Sequence, residues 1–252
     1  MSLPQELWLP APRHLALEDE AMHVWRAHLD QEPPLVRALR DTLTPDERQR
    51  ASRFKFEKDR VHFIVARGAL RDILSRYLGT PPDGISFSHG EFGKPALAGA
   101  AADSQLRFNA SHSHGVALYA VNRGRDVGLD LELMREDFAG LEIAERFFSP
   151  REVQALRALP RDLQTAAFFN CWTRKEAYIK ARGEGLSHPL HGFTVSLAPG
   201  EPAEFLLIDD DSAEASRWSL IELSPAAGFA AALAVNGPKP PLTFWQWSKP
   251  QD

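Results

Sequence analysis

Val24-Trp25-Arg26-Ala27-His28-Leu29 alternates apolar and polar side chains with the two-residue period of a strand, after a Pro-rich approach. Ile85-Ser86-Phe87-Ser88, Leu106-Arg107-Phe108-Asn109 and Val127-Gly128-Leu129-Asp130-Leu131-Glu132-Leu133 repeat that period. Runs from Gly115 to Val121, Phe193 to Leu197, Phe205 to Ile208, Trp218 to Ile221 and Phe229 to Val235 predict further strands. A helical period replaces it from Phe63 to Leu78, where Ile64, Ala69, Leu70, Ile73, Leu74 and Leu78 share a side and Gly79 precedes Pro81-Pro82. A longer helix follows Asp162, passing Phe168, Trp172 and Ile179 to a stop near Gly183.

Two helix starts carry their own punctuation. Thr44-Pro45-Asp46-Glu47 and Ser149-Pro150-Arg151-Glu152 each offer an N-cap hydroxyl, a proline at the first helical position and an acid in the first turn. The first predicts a helix running on through a basic cluster. Gly93-Lys94-Pro95 predicts a turn and Ser111-His112-Ser113-His114 a loop, while Phe244, Trp245 and Trp247 in the Pro-rich tail should cover something apolar. Gly115 to Asn122 resembles Gly228 to Asn236, both ending Ala-Val-Asn and both following a helix and strands. Such an echo predicts a tandem pair of α/β units.

Composition narrows the class only a little. A chain of 252 residues forms one large domain or two ordinary ones, and 44% hydrophobic with 25% charged residues is usual for a soluble protein. No apolar run is long enough to cross a bilayer, and Met1-Ser2-Leu3-Pro4-Gln5-Glu6 lacks the parts of a signal peptide, so a cytoplasmic protein with no membrane partner is expected. Cys171, the sole cysteine, excludes an internal disulfide and falls in an apolar helical stretch. A formal net charge of −5 argues against nucleic-acid binding, yet Arg48, Arg50, Arg53, Lys55, Lys58, Arg60, Arg67 and Arg71 crowd one segment that could receive a small polyanion.

The candidate chemistry starts at Asp130 and Glu132, which strand alternation sets on one face with Leu129, Leu131 and Leu133 on the other. Two carboxylates held close either raise a pKa or recruit a cation, and Mg²⁺ is the hard ion that two carboxylates and a substrate phosphate commonly hold. An exposed face with two solvated acids is the plain alternative. Phe168, Trp172, Glu176 and Lys180 recur every four residues, which lodges an acid in a mostly apolar helical stripe. Glu176 then needs a metal, a wet margin, or a salt bridge to Lys180 or Arg174. Ser111, His112 and Ser113 offer donors suited to phosphate oxygens.

These residues resemble the 4′-phosphopantetheinyl transferase family. Gly128-Leu129-Asp130-Leu131-Glu132 followed by Trp172-Thr173-Arg174-Lys175-Glu176-Ala177-Tyr178-Ile179-Lys180 is similar to its paired signature. Phe108-Asn109-Ala110-Ser111-His112-Ser113 resembles its FN-x-SHS motif and Gly93-Lys94-Pro95 its GKP, over a span from about Arg40 to Asn236. The length and the internal echo resemble the larger, surfactin-synthetase-activating type. That resemblance implies an α+β fold: a pseudo-dimer of two similar α/β halves, 1–124 and 125–252, each a small antiparallel sheet packed with a long helix. The active site would lie between the halves of a monomer with an internal pseudo-twofold.

The implied reaction moves 4′-phosphopantetheine from coenzyme A to a serine of an apo acyl or peptidyl carrier protein and releases adenosine 3′,5′-bisphosphate. By the same resemblance Asp130, Glu132 and Glu176 would hold Mg²⁺, with water completing the shell because Leu131 cannot. Lys94, Ser111, His112 and Lys180 would contact coenzyme A phosphates, joined by Lys175 as the other motif lysine. Glu176 would be the base, with Lys180 and Asp130 beside it in the catalytic set. Arg50, Arg53, Arg60 and Arg67 are the candidates for the 3′-phosphate, since Glu47, His62 and Phe63 depart from the family pattern there. The alternative is a relative that binds coenzyme A without transferring from it, and Phe147 and Phe148 are a candidate carrier-docking surface.

Overall fold

A computed structural model of the chain describes residues 6–135, 140–183, 185, 189–208 and 212–248; the opening Met1 to Gln5 lies outside them. In order come β1 (Leu9–Pro10), β2 (Met22–His28), α1 (Pro33–Asp41), α2 (Pro45–Ser52), α3 (Glu57–Leu78), the hairpin β3 (Ser86–His89) and β4 (Pro95–Ala98), then β5 (Leu106–Ser113) and β6 (Val116–Arg123). The second half repeats the theme with β7 (Val127–Leu133), α4 (Gly140–Phe147), α5 (Pro150–Ala158), α6 (Arg161–Arg182), the hairpin β8 (Phe193–Val195) and β9 (Phe205–Ile208), then β10 (Trp218–Leu223) and β11 (Phe229–Asn236). A last strand, β12 (Leu242–Gln246), follows.

The architecture is α+β. One sheet runs β1-β12-β2-β6-β5 and the other β10-β11-β7. Their inner faces meet through Met22, Val24, Val116, Leu118 and Ala120 on one side and Val127, Leu129, Leu131, Leu233 and Val235 on the other. Each outer face is covered by its own 22-residue helix: α3 lies over Trp25, Ala27, Ala117 and Tyr119, and α6 over Ala230, Ala232 and Ala234. Alternation therefore does two jobs in every central strand, filling the seam between halves with one face and a helix-covered core with the other. The tail does not stay with the second half. β12 runs parallel to β2, with Trp245 beside Trp25, so it adds a strand to the first sheet.

Both punctuated helix starts form capping boxes, Thr44 with Glu47 and Ser149 with Glu152. The helix expected to run on from Thr44 instead stops after Ser52 and restarts at Glu57 with Phe56 at its N-cap, so the basic cluster spans two helices. Helices α1 and α4, and the tail strand, had no counterpart in the hydrophobic pattern. The expected loop at Ser111 is strand, since β5 continues to Ser113 and only His114 and Gly115, both with positive φ, turn the chain. Phe148 is buried in the core and Phe147 packs edge-on against Trp172, so Phe148 offers no docking surface.

Candidate active site

β7 carries Asp130 and Glu132 on the face covered by α6, opposite Ala232 and Ala230 of β11. The helix can come this close because residue 128 is glycine: a Cβ there would sit 2.0 Å from the Ala177 carbonyl oxygen and 2.2 Å from the Ala181 nitrogen. No side chain fits that space without lifting α6 off the strand. At that crossing Glu176 and Lys180 project over Asp130, and Trp172 continues the stripe one turn earlier.

The neighbouring edge strand β5 holds the acids from the other side. Asn109, Ser111 and Ser113 point the same way and reach across the gap between the two sheets. Leu129 N–H donates to Asn109 Oδ1 at 2.9 Å, Ser111 Oγ to Asp130 Oδ1 at 3.1 Å, and Ser113 Oγ to Glu132 Oε2 at 3.2 Å, while Leu133 N–H donates back to Ser113 Oγ. Side chains thus replace a backbone ladder along this edge. Asn109 and Ser113 have roles that their motif alone did not suggest; their spacing of two from Ser111 was the available signal.

Asp130, Glu132, Glu176, Lys180, Ser111, His112, Trp172 and Ala110 line one cavity of about 370 Å³. Lys180 Nζ donates to Asp130 Oδ1 at 2.6 Å and to Ser111 Oγ at 3.3 Å, so the salt bridges weighed for Glu176 are absent: Lys180 serves Asp130, and Arg174 pairs with Glu222. Glu176 makes no hydrogen bond or ion pair among the described residues. Asp130 Oδ2 is buried and unpartnered. Burial raises the Glu176 pKa, with Asp130 and then Glu132 adding to it against Lys180; burial and Asp130 likewise raise Glu132. Three acids face one another here, with Lys180 bonded to one of them and Arg135 acting on Glu132.

Among the described residues no three such side chains already stand as a closed metal-ligand set. The donor chemistry nonetheless suits a hard cation: a buried orphan carboxylate oxygen and two carboxyls whose charged forms are disfavoured by burial and by Asp130 are what a divalent ion would relieve.

A second cleft, of about 890 Å³, shares Ala110 and His112 with this cavity and is lined by Arg50, Arg53, Phe54, Phe63, Arg67 and His89. Arg50 and Arg53 carry no ion pair among the described residues, and Arg50 lies over the Phe63 ring. Arg67 pairs with Glu47 and covers Phe87. Burial, then Lys180 and His62, lower the His112 pKa, which keeps its imidazole neutral between the two spaces. His62 itself bonds Asp30 at 2.8 Å.

Three expected phosphate contacts are elsewhere. Lys175 is fully buried, donating to Glu152 Oε2 and the carbonyls of Leu190 and Phe193, because a helix turns about 100° per residue and carries it away from the face of Glu176. Lys94 Nζ is held by the carbonyls of Val127 and Ala181, tying the start of β7 to the end of α6. Arg60 pairs with Glu57 and lines a separate groove with Arg37, Arg40 and Arg48.

Two family models and several relatives match the chain. Residues 126–234 match the model of the 4′-phosphopantetheinyl transferase superfamily, and residues 25–123 that of the 4′-phosphopantetheinyl transferase N-terminal region. The chain is 42% identical to the 4′-phosphopantetheinyl transferase HetI of Nostoc sp. over 96% of its own length and 99% of that protein. It is 33% identical to a 4′-phosphopantetheinyl transferase of Bacillus subtilis over 70% of its length and 77% of the relative, and 34% identical to Sfp of the same species over 62% and 66%. Two acids crossed by a glycine-seated helix, on a chain that matches throughout, make this protein a member of the 4′-phosphopantetheinyl transferase superfamily.

Proposed function

We propose that the chain transfers 4′-phosphopantetheine from coenzyme A to a serine of an apo acyl or peptidyl carrier protein, working as a cytoplasmic monomer with its cleft between the two halves. The observation that supports this most is the buried, unpartnered Asp130 Oδ2 in an acid-rich cavity that opens into an arginine-lined cleft. Coenzyme A joins a nucleotide with a 3′-phosphate to pantetheine through a diphosphate, so its charge is distributed in the same order as the two spaces. Arg50 and Arg53 would meet the 3′-phosphate. Phe54 and Phe63 would flank the nucleotide, and His112 and Lys180 would sit beside the diphosphate.

In this reaction the carrier serine Oγ attacks the phosphorus that bears pantetheine. The new bond is Oγ–P, the broken one joins that phosphorus to the bridging oxygen, and adenosine 3′,5′-bisphosphate leaves with the bond pair. Glu176 accepts the serine proton, which requires its ionised carboxylate. Asp130, Glu132 and Glu176 would hold Mg²⁺, which when bound would neutralise charge on the diphosphate. Lys180 supplies the protein's own positive charge, Ser111 fixes Asp130, and Ser113 fixes Glu132.

Purified protein incubated with coenzyme A, Mg²⁺ and an apo carrier should add the mass of phosphopantetheine to the carrier. Coenzyme A binding without any mass shift, across acyl and peptidyl carriers, would overturn the transferase reading in favour of a binding relative.

A further inference from the structure

Glu152 and Lys175 lie behind α6, away from the cavity, and both are buried to within 1% of full exclusion. The Lys175 ammonium has three protons and three acceptors: Glu152 Oε2 at 2.9 Å, the Leu190 carbonyl at 2.7 Å and the Phe193 carbonyl at 2.5 Å. Glu152 is equally engaged. Its Oε2 also accepts the Ser149 N–H at 2.7 Å, and its Oε1 the Val195 N–H at 2.8 Å. The start of α5, the middle of α6 and the strand β8 therefore converge on one carboxylate and one ammonium. A slide or roll of α6 would strand a charge out of reach of water, which is among the most costly states available to a buried pair.

Glu176 is the next residue along that helix, and it has no bond of its own among the described residues to hold its direction. Its aim is therefore inherited from the helix. Gly128 sets how near α6 comes to β7, but a smooth contact of this kind leaves rotation about the helix axis free. The clasp on the opposite side, together with Arg174 on Glu222 and Lys180 on Asp130, removes that freedom.

The first half contains the same device with a different load. Counting back from Gly79 and Gly183, which end α3 and α6, Arg71 stands where Lys175 stands. Arg71 donates to Glu47 Oε2 and to the carbonyls of Pro82 and Ile85, matching the capping-box acid and the two carbonyls used by Lys175. The following residue there is Asp72, which has partners of its own in Arg76 and Trp247. Only in the second half is the side chain beside the clasp left without local anchorage.

We infer that Glu152 and Lys175 are positioning residues that fix the rotation of α6 and so aim Glu176 at Asp130 and Glu132, an assignment that rests on the metal-assisted reading of the cavity. The test is Mn²⁺ binding, followed by electron paramagnetic resonance with coenzyme A present, alongside thermal unfolding. Glu152→Gln should weaken Mn²⁺ binding at least ten-fold. Lys175→Arg, which imports the arrangement of the first half, should stay within three-fold of the unaltered protein. Ile73→Ala, a core change in α3, should lower the melting temperature while leaving Mn²⁺ binding within two-fold. If Glu152→Gln does not fold, Glu152→Asp takes its place with the same expectation. Unchanged Mn²⁺ affinity in a Glu152 variant that melts as low as Ile73→Ala would overturn the inference and make the pair merely structural. An unaltered protein that transfers phosphopantetheine but binds no Mn²⁺ would overturn the metal reading and this assignment with it. Absence of transfer with intact Mn²⁺ binding would count against the transferase reading alone.

Discussion

The helix-facing positions of the two central strands hold opposite chemistry. Four residues after Gly115 and Gly228 stand Tyr119 and Ala232, whose cross-strand partners are Trp25 and Asp130; two residues after them stand Ala117 and Ala230, whose partners are Ala27 and Glu132. In the first half, the space that would match the cavity is filled by the Trp25 indole, with the Arg76 guanidinium over it and Trp247 donating to Asp72. In the second half alanines leave room, and the acids remain open to a ligand. The same scaffold thus serves once as a closed core and once as an acid-lined pocket, while first-half residues line the adjoining arginine cleft.

The sharpest way to test this contrast is to neutralise matching acids. Asp130→Asn should reduce kcat by about a thousand-fold, as expected when a group aimed at developing charge is lost, with the fold retained. Asp72→Asn should leave transfer within about two-fold and instead lower stability by roughly 1–3 kcal/mol, because Arg76 and Trp247 lose their acceptor. Comparable loss of transfer in both variants would erase the distinction.

Lys180→Met should cost about a hundred-fold in kcat and also change the pH profile. Transfer through Glu176 needs the ionised carboxylate and falls as pH drops through its pKa, which burial and Asp130 raise in the metal-free protein. Lys180 opposes the rise, so its removal should move the acid limb to higher pH; a limb that stays put would separate Glu176 from the proton transfer.

Smaller effects should map the cleft. Arg50→Ala and Arg53→Ala should each raise KM for coenzyme A about ten-fold, the cost of one phosphate contact, while Arg60→Ala leaves it within two-fold, in steady-state measurements. The first half also has its own acid sensitivity. Burial lowers the His23 pKa to about 4, so it stays neutral in the fold, and below 6.5 the unfolded chain takes up a proton that the fold refuses. Stability should therefore fall between pH 6.5 and 4 by up to about 3 kcal/mol, and His23→Gln should flatten that part of the unfolding curve.

The acid strand and the long helix were legible because each has a single dominant period. Asp130 and Glu132 alternate with leucines that fill the seam, and Trp172, Glu176 and Lys180 do share one wall. Lys175 is off the four-residue stripe, so its neighbour's position does not transfer to it and its side chain is buried behind the cavity. Serine, histidine and asparagine usually mark turns, so the motif around Ser111 reads as a loop. Here their alternation survives, and the polar side chains are consumed in stitching β5 to β7. The tail strand leaves no local sign in the sequence, because its partner lies far away and the pairing is parallel.

That tail pairing has a consequence for how the molecule is made. Gln246 bonds Arg26 across 220 residues, and β12 lies between β1 and β2. While the chain is emerging from a ribosome, β2 has an open side that nothing yet synthesised can occupy, even after β6 has joined it. Closing so wide a loop is entropically late, so the flank of β2 stays an unpaired edge until the last strand arrives.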